Sequence, residues 1–431
     1  MGGSGGAGRR QLQLAIVCAA QFVVWSGFSA ILPYLPVFLR EQAHASLWLI
    51  GVIASAYFVG SFAFAAPLGT LSDRIGRKPV IVAGMWLYAV ASLLFVTTAE
   101  PAWFICFRLL QGVGAAAMLP AGQAFIADIT TDEARSRAYG WFATAQFGGM
   151  IVGPALAIPL YALGGGHGTW AFYTIFLCGS LLAAISAVMI MVAVHDVSRS
   201  GRRKPGEAKR PPLKTLVTRP VGAFLIIALT GQLSVGAWEV LWSIWLRDLH
   251  ASMGFIGLTW ILPSVPLLFA FAFGTVADRH SRWALMYSGY AISGVTTVYY
   301  GVSHDLKAIM VVLVLEGFAW AWAFPAKQAF LVQVSPPRSL GAIQGLEGGV
   351  TQLAAFVGTL CAPALYALMK GLVLSVFGLL YLVALAVTAP TLLREWRRLA
   401  SAGESLSHEE AERLAAEHRP APVVAINSPQ E

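Results

Sequence analysis

Charge is what this sequence has least of. Asp, Glu, Lys and Arg make up 12% of its 431 residues, against 57% hydrophobic. A soluble domain carries roughly 25% charged residues. So little charge cannot cover a water-facing surface of this size, which places the chain in lipid. Cysteine is scarce too. Cys18, Cys106, Cys178 and Cys361 each lie inside an apolar run, without paired spacing. That argues against a disulfide framework or a zinc site and favours inert thiols. No metal and no cofactor is expected. A basic face with interleaved stacking aromatics is also missing. The net charge of +8 sits in loops between apolar spans, so nucleic acid is not an expected partner. The first apolar run is too long for the core of a cleaved signal. No nucleophile with its base and no phosphate-cradling loop stands out, so an enzyme is the least supported class.

What is there is a series of long apolar runs. About twelve membrane helices, each needing roughly 20 residues, are predicted. They span 12–39, 47–68, 80–98, 101–123, 139–163, 170–193, 219–247, 255–273, 284–303, 306–333, 340–369 and 371–392. Pro33 and Pro36, Pro154 and Pro159, and Pro263 and Pro266 predict kinks in the first, fifth and eighth. Basic residues set the orientation. One set of loops holds Arg9, Arg10, Arg74, Arg77, Lys78, Arg135, Arg137, Arg279, Arg282, Arg338 and the cluster from Arg199 to Lys214. The opposite loops offer only Arg40, Arg247, Lys307 and Lys370. Both termini are therefore expected in the cytoplasm, in a multi-pass protein of the cytoplasmic membrane. Trp48, Trp103, Trp170 and Trp283 sit near span ends, where an indole suits the interface.

The expected division is a mobile N-terminus at 1–11, a six-helix bundle at 12–193, a cytoplasmic linker at 194–218, a second bundle at 219–392 and a tail at 393–431. The linker reads as a solvated tether, with lipid headgroup contact as a compatible addition. In the tail, Ser407 to Leu414 reads as a short capped helix. The fold class is an all-α membrane protein of two pseudo-symmetric bundles.

One charged turn organises both halves: Gly69-Thr70-Leu71-Ser72-Asp73-Arg74-Ile75-Gly76-Arg77-Lys78. Gly69 is expected to end the second helix. Asp73 is expected to stand before the third, where a carboxylate meets a positive helix terminus. A second version, Gly274 to Arg282, aligns without gaps, since Asp278 lies 205 positions after Asp73. The frame persists. Gln111-Gly112 matches Glu316-Gly317, Pro120 matches Pro325, and Leu160-Tyr161-Ala162-Leu163 matches Leu365-Tyr366-Ala367-Leu368. In repeat-built transporters the substrate site lies near the midplane between halves.

The turn resembles the signature loop of the major facilitator superfamily, and span count, linker and repeat extend the resemblance over nearly the whole chain. It implies alternating access, with Gly69, Asp73, Arg74, Gly76, Arg77, Lys78, Asp278 and Arg279 in gating loops. Arg108-Leu109-Leu110-Gln111-Gly112 is similar to the fourth-helix motif of proton-coupled members. Gly149-Met150-Ile151-Val152-Gly153-Pro154 is similar to the fifth-helix bend of the drug–proton antiporters, whose glycines let helices approach. A Gly pair usual further on is replaced by Ala157-Ile158. Ordinary small-residue packing is the other reading of that stretch. Within the group, the quinolone-type pumps are the best match.

Three acids fall well inside predicted spans: Glu239, Glu316 and Glu347. A charge at that depth costs about 2.5–3.5 kcal/mol, so it needs a partner, a wet cavity or a proton. At about 1.5 Å per residue, Glu239 and Glu316 lie roughly 13 Å from the outer interface, and Arg108 roughly 9 Å. Equal depth predicts a facing pair of glutamates. Two close carboxylates in a low dielectric do not both ionise easily. Structural hydrogen bonding is the alternative for both. Arg108 either senses the carboxylates, holds water or bonds backbone carbonyls. Lys327 and Glu347 are expected to form a structural ion pair. Trp242 and Trp320 follow the two glutamates at helical spacing. Indoles beside carboxylates suit a lipophilic cation, with lipid-facing or packing tryptophan as the alternative. The expected cavity residues are Gln21, Trp25, Gln111, Trp238, Trp242 and Trp320, with Glu239, Glu316 and Arg108 in proton coupling.

The expectation is proton-coupled export of amphipathic, cationic compounds by a monomer, with membrane lipids around it. One rival is a specific carrier of one metabolite, siderophore or lipid. Another, of a different class, is a non-transporting receptor or scaffold on the same fold.

Overall fold

The computed structural model describes residues 3–196, 216–269, 281–335 and 340–417, and all secondary structure among them is helical. The first half comprises α1 (Gly3–Ile31), α2 (Leu35–Glu41), α3 (Leu47–Ile75), α4 (Arg77–Leu94), α5 (Pro101–Ile129), α6 (Asp132–Leu163) and α7 (Gly168–Ala193). The second comprises α8 (Arg219–Asp248), α9 (Met253–Ile261), a 3-10 segment (Leu262–Phe269), α10 (Arg282–Val302), α11 (Leu306–Val334), α12 (Leu340–Met369) and α13 (Leu372–Glu417). Ten helical stretches among the described residues are long and apolar enough to cross a membrane. Most of the expected linker (197–215) and the loop residues Asp278 and Arg279 lie outside the described residues.

The prolines act unequally. Pro33 lacks a backbone N–H, and the first span breaks there into α1 and α2. Pro263 and Pro266 fall where the eighth span tightens from α to 3-10 geometry. By contrast, α6 stays helical through Pro154 and Pro159. Polar caps start several helices. Ser46 accepts from Leu49 N at 3.3 Å, and Ser252 from Phe255 N at 3.1 Å.

The charged turn is shorter than its sequence suggests. Helix α3 runs past Gly69 and carries Asp73 in its last turn, so Gly69 does not end it. The chain turns at Gly76, whose φ of 114° favours glycine. The space a Cβ would need there is filled by the Asp196 carboxylate.

The repeat survives as packing. Gly84 lies against the Gly114 carbonyl, and Gly289 against the Ala319 carbonyl. Gly153 lies against Ser26 and Ala30 of α1, and Gly358 against Leu233 and Ala237 of α8. Between the halves, α3 packs on α12, and α6 on α9 and the 3-10 segment.

The two ends of the bundle differ. At the end bearing Arg40, one continuous core joins both halves, from Tyr34, Phe38 and Phe176 to Trp242, Tyr300 and Tyr366. At the end bearing Arg77 there are two cores. One, around Met85, Phe125 and Ile190, belongs to the first half, and one, around Phe224, Tyr287 and Phe330, to the second. The halves thus meet at the Arg40 end and separate toward the Arg77 end.

Candidate functional site

A cavity of about 280 Å³ lies inside the second half. Its wall includes Ser234, Trp238, Ser264, Thr297, Glu316 and Trp320, and every lining residue comes from that half. The 3-10 segment supplies one side. Pro263 and Pro266 remove two backbone donors there. Helix α10 supplies another. Ser293, Thr297 and Tyr300 recur at steps of four and three, so they share one helix face. Ser293 Oγ donates to Glu316 Oε1 at 2.7 Å, and Tyr300 Oη to Glu316 Oε2 at 2.7 Å. The carboxylate thus keeps both oxygens engaged by hydroxyls, and no cation pairs with it among the described residues.

Glu239 is half-buried on α8 and answers to the other half. The charge that acts on it is Arg108 of α5, with Tyr57 of α3 in the same field. Arg108 is 2% exposed. Its guanidinium lies 4.8 Å over the Tyr57 ring, and its Nη1 donates to Gln111 Oε1 at 2.9 Å. Gln111 Nε2 in turn donates to Ser92 Oγ at 2.9 Å. Arg108 Nε is buried without a hydrogen-bond partner. The two glutamates therefore sit in different surroundings: Glu316 accepts from hydroxyls of its own half, and Glu239 lies within longer-range reach of the Arg108 charge of the other half. The facing pair expected from equal depth does not form the centre of this site.

The aromatic expectation divides as well. Trp238 and Trp320 line the cavity. Trp242 does not: it is fully buried, stacks on Trp238 at 5.3 Å and donates to Thr259 Oγ1 at 2.9 Å. Helical spacing put it beside Glu239, but packing turned it into the core. In the first half, Gln21 is buried with Nε2 unpartnered, and Trp25 meets Phe28 edge-on at 5.1 Å. Neither these two nor Gln111 lines the cavity. Gly149 and Gly153 bring α6 onto α1, and Ser29 Oγ donates to Gly149 O at 2.9 Å.

At the Arg77 end, Arg77 Nη1 meets Asp73 Oδ1 at 2.6 Å, and Arg77 Nε meets Asp128 Oδ2 at 3.3 Å. Lys78 N donates to Asp196 Oδ1 at 3.3 Å, which caps α4, while Arg74 is exposed. All these groups belong to the first half. Lys327 and Glu347 meet at 2.5 Å within the second. Sequence reasoning missed Ser293, Tyr300, Tyr57, Asp128 and Asp196. A polar stripe on an otherwise apolar α10 was the available signal for the first two.

The sequence profile described as Major Facilitator Superfamily matches residues 17–242 and 233–426. The chain is 28% identical over 376 residues to the class G tetracycline resistance protein of Vibrio anguillarum, covering 84% of this chain and 93% of that one. It is 22% identical over 354 residues to the quinolone resistance protein NorA of Staphylococcus aureus, covering 80% and 87%. Among solved structures it resembles a bacterial homolog of the human lysosomal transporter Spinster, in an inward-facing and unoccupied conformation. The TM-score is 0.72 at 14% identity, over 90% of this chain and 98% of that one.

Proposed function

The chain belongs to the major facilitator superfamily, a family of transporters rather than enzymes, and from that premise we propose that it exports amphipathic, cationic compounds across the cytoplasmic membrane in exchange for protons. One observation carries the reading. A half-buried carboxylate, Glu316, faces a cavity walled by Trp238 and Trp320 and is held by hydroxyls, with no cation pairing it among the described residues. An acid at membrane depth needs a counter-charge or a proton, and indole faces beside it attract a lipophilic cation. The drug-resistance relatives point the same way. In this reading the Arg77 end faces the cytoplasm, as do both termini, and residues 194–218 tether two bundles in a monomer. The wide end then admits substrate from inside.

Glu239 supplies the coupling. When ionised, it attracts Arg108 across the seam between halves. A proton arriving from outside cancels that attraction and frees the halves to rock. Each charge moved with the field gains about 2.3 kcal/mol per 100 mV. The turn at Asp73 and Arg77 gates the cytoplasmic side. Efflux of a cationic dye in inverted vesicles tests this. Glu239→Gln and Glu316→Gln are each expected to lose pH-gradient-driven transport; full gradient-driven efflux by both variants defeats the assignment. A panel of unrelated dyes separates a multidrug pump from a specialist, which would ignore most of them.

A further inference from the structure

Four charged residues at the Arg40 end stand outside the site. Arg40 and Glu41 close α2, and Arg247 and Asp248 close α8. Arg40 Nη1 meets Asp248 Oδ1 at 2.8 Å. Arg247 grips Glu41 with two donors, Nε to Oε1 at 2.8 Å and Nη2 to Oε2 at 3.2 Å. Both pairs cross between the halves. Arg247 Nη1 also donates to Ala251 O at 3.0 Å, and Tyr366 Oη donates to Asp248 Oδ2 at 2.6 Å. The side chains are 23–33% exposed.

The arrangement follows the repeat. Gly153 packs on Ala30, and its counterpart Gly358 packs on Ala237, so the first span of each half is related by a shift of 207 positions. The same shift carries Arg40 to Arg247 and Glu41 to Asp248. Each half therefore offers one cation followed by one anion, and pseudo-twofold symmetry sets each cation against the other half's anion. The backbone repeats too: Gln42 N donates to Phe38 O, and Leu249 N to Trp245 O. Both following turns hold a histidine at positive φ, His44 at 52° and His250 at 63°.

We infer that these residues form a reciprocal latch, the outer gate that holds the two halves together while the cytoplasmic side is open and that must part to release substrate outward. Partial exposure suits the role. Isolated exposed ion pairs contribute little, whereas a two-donor pair linked into a network contributes more. Water at the rim keeps the break reversible, which a fully buried pair would not allow. Tyr366 and the Ala251 carbonyl bond Asp248 and Arg247 from within the second half and so hold these two side chains in place for the first, while Tyr161 of the first half lies in the field of Glu41 and Arg247.

The inference rests on the carrier reading, so its test uses neither substrate nor a proton gradient. Spin labels placed at His44→Cys and His250→Cys, in a background without the native cysteines, report the separation of the halves in proteoliposomes. Both positions are exposed. Arg40→Asp and Asp248→Arg, each alone, should raise the long-distance population about two- to fivefold. The double variant, with the charges exchanged, should return the short distance. Neutral Arg40→Gln is the milder control and should move the distribution the same way by less. Unchanged distances in all single variants overturn the latch, as does an exchanged pair that stays open while Arg40→Gln resembles the parent.

Discussion

Gln111 in the first half and Glu316 in the second occupy equivalent places on α5 and α11, each followed by a glycine that lets a neighbouring helix approach. A Cβ at Gly112 would meet the Tyr57 carbonyl, and one at Gly317 the Pro263 carbonyl. Backbone packing is thus the same on both sides. Chemistry is not. Gln111 spends its amide on Arg108 and Ser92, deep in a solid core. Glu316 faces a cavity and is held by Ser293 and Tyr300. One oxygen in place of one amide nitrogen, at the same spot on the same scaffold, separates a structural network from a candidate cation site. The duplicated architecture left each half free to specialise, the first holding a buried cation at Arg108, the second a carboxylate at a cavity wall.

Removing that fixed charge should produce the largest effect. Arg108→Ala strips the ring contact with Tyr57, the bond to Gln111 and the charge facing Glu239. A loss of about 2–4 kcal/mol is expected, because the buried Gln111 carbonyl and the Tyr57 ring both lose their cation, read as a lower Tm in detergent. An unchanged Tm would mean that the Arg108 contacts with Gln111 and Tyr57 add nothing to stability. The packing equivalence is next. Gly112→Ala and Gly317→Ala should each destabilise by about 1–3 kcal/mol, since the added methyl meets backbone rather than a yielding side chain. A marked disparity in Tm between the two would break the symmetry argued above. Matched hydroxyl deletions give the smallest and sharpest test. Ser92→Ala and Ser293→Ala should each cost about 1 kcal/mol. Only Ser293→Ala should alter the apparent affinity for a cationic dye. Equal changes in affinity would place both halves in the binding site.

Much of this was legible before any coordinates. The series of apolar spans, the charged turn, the 205-position frame and the acids inside those spans all follow from order along the chain. Local geometry was less legible. Gly69 carries the same signal as Gly76, yet α3 passes through one and stops at the other, because Asp196 and Arg77 fix the turn at Gly76. Tertiary pairing was least legible. Glu316 lines the cavity and Glu239 does not, and Trp242 rotates into the core beside Thr259.

Sequence alone determined how the groups are spaced along each span, since a helix advances by a constant rise and lipid excludes unpaired charge whatever the packing. Which way each group points was decided by the assembled bundle. Rotation and tilt come from glycine contacts, proline breaks and neighbouring side chains supplied by distant segments. For that reason the four-charge grip between Arg40-Glu41 and Arg247-Asp248 exists only in three dimensions: its members are 207 positions apart, and nothing local to either pair names the other.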